Sequence, residues 1–165
     1  MRIALIVVGV VVAVVVIVAI IGALLPVKHQ VSREATFKIS ADRLFALISA
    51  PTDFPEWRTG VKSVEMLPSG GGLPKWIEVS SDGTITFAVT QAVPGVQLVT
   101  TIADRSLPFG GSWTYVLAPA GPDSTTLRIT EHGEVYNVIF RFMSRFVFGH
   151  ASTIEKYLKD VQKRV

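Results

Sequence analysis

The sequence predicts an α+β architecture: a curved, seven-stranded antiparallel sheet wrapped around a long C-terminal helix, preceded by one N-terminal transmembrane helix. Three features predict it. An uninterrupted apolar run opens the chain. Short segments of alternating apolar and polar residues, divided by Gly- and Pro-containing turns, fill the middle. A segment with the 3-4 apolar spacing of an amphipathic helix closes it.

The opening run extends from Ile3 to Leu25 and contains only Ala, Ile, Leu, Val and Gly. As a helix rising about 1.5 Å per residue it spans roughly 34 Å, against a hydrocarbon core of about 30 Å. A backbone in lipid must satisfy its own hydrogen bonds, so the run is expected to be helical despite its valines. A cleaved signal peptide would have an apolar region of about 7–15 residues and a small-x-small cleavage site. This run is longer, and Gly22-Ala23-Leu24-Leu25-Pro26 lacks an Ala-x-Ala pattern. Residues 1–25 therefore read as a membrane anchor, 26–30 as a tether, and 31–165 as one soluble domain. Fully extended, the tether reaches about 17 Å, which places the domain at headgroup level.

The excess in the 49% hydrophobic content is local to that run. The formal charge of +3 is too mild to point to nucleic acid and is compatible with an anionic membrane surface. The absence of cysteine excludes disulfides, thiolate catalysis and cysteine metal sites. Two orientations stand. Lys28, Arg33, Lys38 and Arg43 follow the run, which favours a cytoplasmic domain. A short basic N-terminus before a long apolar run is also the pattern of a signal-anchor with the domain outside. No signal for oligomeric state is present.

Within the domain, Val31, Ala35, Phe37 and Ile39 alternate with Ser32, Glu34, Thr36 and Lys38. This marks a half-buried strand, with Arg33 the odd inward member. Ser40 is expected to cap a helix over Ala41–Ser49 whose apolar side is Leu44, Phe45, Leu47 and Ile48. Pro51 ends it, and Thr52–Trp57 forms a second short helix or turn. Strands follow at Val61–Leu67, Lys75–Ser80, Thr84–Ala92, Val96–Ala103, Gly111–Leu117 and Ser124–Glu134, with a hairpin turn at Ser81-Asp82-Gly83. Tyr136–Arg164 reads as one long helix. Val147, Ala151, Ile154, Leu158 and Val161 form its buried face, and Arg141, Arg145, Ser152, Lys156, Lys159 and Lys163 a basic stripe. A curved sheet gripping one helix leaves a hollow between them unless large side chains close it.

This element order carries a resemblance. It is joined by Ser40-Ala-Asp-Arg-Leu-Phe-Ala-Leu-Ile48 followed by Asp53-Phe-Pro-Glu-Trp57, by Gly111-Ser-Trp113-Thr-Tyr-Val-Leu-Ala-Pro119, and by Thr130-Glu-His-Gly-Glu134 leading into Asn137-Val-Ile-Phe-Arg141-Phe. From about Val31 to Val165 the chain resembles the START-like, or SRPBCC, superfamily of helix-grip proteins. These include polyketide cyclase/dehydrase-like proteins and lipid-transfer domains. The resemblance implies a fold with a hydrophobic cavity. It implies no particular reaction, because function within one fold varies widely.

The candidate site residues follow from the elements. Glu131 shares a strand face with Leu127 and Ile129, so it should point inward, as a ligand-orienting group or a general base. The plainer alternative is a solvated carboxylate, or one paired with Arg33. His150 falls between Phe146 and Ile154, either facing the cavity as an acid/base group or packed as a hydrogen-bonded core residue. Trp57, Trp76, Phe87, Trp113, Tyr115, Phe140 and Met143 are large side chains on cavity-forming elements. Each alone reads as core, and together they suit an apolar pocket with a few polar handles. His29, His132 and His150 are scattered, without metal-ligand spacing, so no metal or other cofactor is expected.

The leading expectation is a membrane-tethered, non-catalytic module that binds a hydrophobic or amphipathic, lipid-like small molecule. Its partners would be the bilayer and that ligand. One alternative is a cyclase- or hydrolase-type enzyme using Glu131 or His150. Another is a membrane-associated protein-interaction module with a closed interior and an exposed apolar patch.

Overall fold

The computed structural model describes residues 2–81, 83–149 and 151–165 of the chain. Candidate His150 and the hairpin residue Asp82 lie outside the described residues. Within them, seven strands form one antiparallel sheet in the order β1-β7-β6-β5-β4-β3-β2. They are β1 (Lys28–Phe37), β2 (Val61–Leu67), β3 (Lys75–Ser80), β4 (Gly83–Val93), β5 (Gln97–Ile102), β6 (Phe109–Gly121) and β7 (Ser124–Val135). The five central pairings join sequence neighbours. The sixth brings β1 back onto β7 from the far end of the domain.

Helices α2 (Ala41–Ile48) and α3 (Phe54–Trp57), with a 3-10 turn between them, cover one face of the sheet. α2 buries Leu44 and Ile48, four positions apart and so on one helical stripe. Ser40 stands at its N-cap position, but its side chain makes no capping bond. The core on this face is held by Phe37, Leu44, Ile48, Leu127, Ile129, Ile154 and Val161, each at most 2% exposed.

The helix expected over Tyr136–Arg164 is divided. α4 covers Val138–Met143, a π-helical turn follows at Ser144–Phe148, and α5 covers Ser152–Arg164. The break falls at Gly149, whose φ of 73° is one that side-chain-bearing residues avoid. Its consequence is that Val147, expected on the buried face, is 58% exposed. α5 buries Ile154, Tyr157, Leu158, Asp160 and Val161 against the rest of the domain.

Asp160 fastens α5 to the turn after α3. Its carboxylate accepts the Thr59 backbone N–H and hydroxyl, both at 2.7 Å. Burial raises its pKa, but the Thr59 bonds and Lys163 outweigh that and hold it below the ordinary carboxylate value. A depressed folded-state pKa contributes stability that is present above the unfolded value of about 3.9 and lost as pH falls through the folded value. Asp160→Asn turns an amide NH₂ toward one of the Thr59 donors. It is expected to lower stability by about 1–3 kcal/mol at neutral pH and to flatten the acid limb of the stability curve. Urea midpoints across the acid range measure both effects.

α1 (Arg2–Leu24) is long and apolar enough to cross a membrane, and its side chains are exposed along nearly its whole length. It meets the domain at one point. Gly22 lies against the backbone of Val138, where a Cβ would overlap the Val138 carbonyl oxygen. Arg141 closes the junction. Its guanidinium donates to the carbonyls of Gly22 (3.2 Å), Leu25 (3.0 Å), Val135 (3.0 Å) and Tyr136 (3.0 Å). Gly22 and Leu25 belong to the end of α1, where helix carbonyls lack intrahelical partners and favour a cation. Arg141 is therefore a buried clasp, and not a member of an exposed basic stripe.

The link from α1 into the sheet is also shorter than the residue pattern suggested. Strand pairing begins at Lys28, opposite Glu134, and Val27 accepts the Val135 N–H at 2.9 Å. Lys28, His29 and Gln30 are polar, so their alternation is invisible as hydropathy, yet they are paired in β1.

Candidate functional site

On β3 the two-residue period turns Trp76 and Glu78 into the interior, at 3% and 5% exposure. A carboxylate there needs a partner. Arg58, the residue after α3, supplies it with Nη1 at 2.6 Å from Glu78 Oε2. The guanidinium lies over the rings of Phe54 (4.7 Å) and Tyr157 (5.3 Å). Burial lowers the Arg58 pKa, but Glu78 and the neighbouring tyrosines outweigh it, so it is raised and the guanidinium stays charged.

β5 and β6 add Thr100 and Tyr115, and α5 adds Tyr157, whose ring lies 5.5 Å from that of Tyr115. Burial pushes the Tyr115 hydroxyl above its ordinary pKa, against Arg58 and a hydrogen bond with Thr100. Burial pushes Tyr157 up further, with Tyr115 adding to it and Arg58 opposing it. Both phenols are therefore neutral hydrogen-bonding groups at physiological pH.

Around this polar cluster stands an aromatic wall. Trp76 stacks on Phe87 at 5.6 Å, Phe87 meets Trp113 edge-on at 6.0 Å, and Phe54 meets Trp76 at 6.0 Å. Ile48, Ile129, Thr153 and Ile154 complete the lining. The cavity has a volume of about 70 Å³. That is room for several waters, well below the roughly 300–1,000 Å³ of most small-molecule sites. The indole N–H groups of Trp57 and Trp76 are buried without a hydrogen-bond partner among the described residues. Of the two residues, Trp76 lines the cavity. A larger groove of about 480 Å³, between Thr101, Arg105, Ser112, His132 and Tyr136, is open to solvent.

Four residues singled out from the sequence, Trp76, Phe87, Trp113 and Tyr115, come together in the cavity wall. Trp57 stands behind it, edge-on to Phe54 at 5.6 Å and to Tyr157 at 5.4 Å. Phe140 and Met143 are on α4, outside the cavity, and Phe140 is 50% exposed. Glu131 faces inward but does not line the cavity. It accepts Trp113 Nε1 at 2.9 Å and meets His29 Nε2 at 3.2 Å, so it fixes the Trp113 ring from behind. Arg33, a conceivable partner for Glu131, pairs instead with Glu155 at the surface.

Sequence reasoning missed Arg58, Glu78, Thr100 and Tyr157. Glu78 shares the strand phase of Trp76, and Tyr157 lies one helical turn from Ile154, so both carried a signal. Arg58 occupies a turn, where no periodicity reports side-chain direction.

The seven-stranded sheet and its covering helices, enclosing a small aromatic and polar cavity, define the class as START-like. The sequence model for "Polyketide cyclase / dehydrase and lipid transport" matches residues 28–164, and the chain belongs to that family. Solved structures share the fold at low identity. A START superfamily protein from Mycobacterium smegmatis superposes with a TM-score of 0.67 at 21% identity, over 83% of this chain and 97% of that one. Norcoclaurine synthase from Thalictrum flavum, in complex with dopamine and hydroxybenzaldehyde, gives 0.64 at 14% identity, over 83% and 86%. Major latex-like protein 151 from Panax ginseng gives 0.66 at 11% identity, over 84% and 98%. No curated protein matches the sequence.

Proposed function

We propose that this chain is a membrane-tethered binding module that takes the head of an amphipathic small molecule into its interior cavity. α1 is the anchor, residues 25–27 are the link, and the domain from Lys28 onward is the receptor. The observation that carries the reading is the buried Trp76 N–H, which has no acceptor among the described residues and lies in the wall of an aromatic cavity. An unmet buried donor costs about 1–3 kcal/mol, which a ligand oxygen would recover. The Phe54, Trp76, Phe87 and Trp113 rings suit a flat, unsaturated head, such as that of a quinone- or isoprenoid-like lipid. The cavity, at about 70 Å³, is too small for a whole lipid. Such a ligand would seat its head inside only as the wall side chains swing apart, with its tail directed toward the bilayer. Norcoclaurine synthase, which shares this fold, has been captured in complex with small aromatic compounds, dopamine and hydroxybenzaldehyde.

The catalytic alternative required Glu131 and His150 to converge on one void. Glu131 is committed to Trp113 and His29 and is not part of the cavity lining. The interaction-module alternative draws on the exposed side chains of Phe140, Phe146 and Val147.

The test is extraction of the full-length protein in mild detergent, with mass spectrometry of the bound organic fraction. A reproducible amphipathic compound is expected, depleted in Trp76→Phe, which removes the donor and keeps the ring. An empty wild-type protein whose tryptophan fluorescence ignores added membrane lipids would overturn the reading.

A further inference from the structure

Between α1 and the cavity lies a segment whose surface is wrong for water. Ile139 is 37% exposed, Phe140 50%, Phe146 59% and Val147 58%. Phe142 and Phe146 pack ring to ring at 4.9 Å. Exposed apolar side chains gathered on one short element mark an interaction surface. The element is also joined to α1 by backbone contact at Gly22 and Val138 and by the Arg141 clasp. Gly22 is only a few residues inside the end of the apolar run. If α1 spans the membrane, Val138 is therefore level with the boundary between headgroups and acyl chains. Arg145 is exposed on the same segment and offers a cation at that depth.

We propose that Val138–Phe148 is a second membrane element, lying in the bilayer interface with Phe140, Phe146 and Val147 inserted among lipids. The occupant of this apolar surface is the bilayer, because the surface is continuous with the exposed apolar wall of α1. The inference rests on the reading of α1 as a membrane span. Burial of two phenylalanines and a valine adds favourable apolar transfer at the interface. One element thus has two attachments. Its N-terminal end is clasped to the anchor, and its C-terminal end leads through Gly149 into α5, which supplies Thr153, Ile154 and Tyr157 to the cavity. A change in how deeply the segment sits would be felt at the cavity wall.

The chain has no cysteine, so single introduced cysteines are unique labels. Full-length protein carrying Phe140→Cys, Phe146→Cys, Val15→Cys or Ser69→Cys would be spin-labelled. Each would be reconstituted into vesicles of phosphatidylcholine and phosphatidylglycerol. Collision rates with oxygen, which partitions into lipid, and with a water-soluble nickel chelate report depth. The expected result is a high oxygen-to-nickel ratio at positions 140 and 146, between the mid-bilayer value at 15 and the aqueous value at 69. Aqueous ratios at 140 and 146 with a lipid ratio at 15 would overturn this proposal and leave the anchor standing. An aqueous ratio at 15 would overturn both. Spin–spin broadening at 140 and 146 that disappears on dilution with unlabelled protein would assign the surface to a second copy of the chain and overturn the proposal.

Discussion

Replacing Glu78 with leucine is expected to destabilise the domain by about 3–5 kcal/mol, among the largest effects of any single substitution in this chain. The cost does not come from the lost attraction alone. Arg58 stays charged, enclosed by Phe54, Tyr115 and Tyr157, and has no other carboxylate within an ion-pair distance among the described residues. A guanidinium stranded in low dielectric must either remain unpaired or drag water into the cavity. The double variant Arg58→Met with Glu78→Leu removes both charges at similar volume. It is expected to recover most of the loss, because the pair's attraction is offset by the desolvation of two ions. Urea unfolding followed by tryptophan fluorescence, on the four proteins of a double-mutant cycle, measures this. A single-variant loss below about 1 kcal/mol would mean that the pair is solvated. If the double variant keeps its fold but binds no ligand, the pair belongs to recognition as well as to stability.

The second large effect is expected at Arg141. Arg141→Ala orphans four carbonyl oxygens at once, two of them at the end of α1. Unsatisfied groups cost about 1–3 kcal/mol each when buried, and some will recover water. A net loss near 3 kcal/mol corresponds to roughly a hundredfold easier opening of the junction. Hydrogen exchange of the full-length protein in lipid nanodiscs should show this as faster exchange confined to residues 22–27 and 138–143. The sheet amides should be unchanged. Arg141→Lys should fall nearer to alanine than to wild type, because a point-charge ammonium cannot reach four acceptors from one plane. Equal exchange in all three proteins would refute the clasp.

Much of the fold was legible in the sequence, for identifiable reasons. The strands from Val61 onward are short and bounded by turn residues, and pairing between sequence neighbours follows directly. The start of β1 was not legible, because Lys28, His29 and Gln30 alternate in direction without alternating in polarity. The division of the last helix was only half legible. Gly149 stands in plain view, but apolar spacing carries through it, and a positive φ leaves no mark in hydropathy. For the site, Trp76, Phe87, Trp113 and Tyr115 stand out in the sequence as large side chains on cavity-forming elements, and the structure places them in one cavity wall. The ion pair within it did not, because Glu78 and Arg58 are 20 positions apart and meet only when α3 folds onto β3. The strand phase of Glu131 turns it inward, and its partner His29 lies in the polar start of β1, where no alternation marks a strand.

The pairing of β1 with β7 has a consequence for the order of events during biosynthesis. Ser32 and Thr130 are hydrogen-bonded neighbours 98 positions apart. A ribosome delivers α1 and β1 first and β7 nearly last. The strands from β2 to β6 can zip as successive hairpins while β1 has no partner. An unpaired strand is a template for wrong pairing. The polar start of this one, Lys28-His29-Gln30, makes it a poor template for other apolar strands until Glu131 and Glu134 arrive to meet His29 and Lys28. Capture of the N-terminal strand is thus the closing step of the sheet.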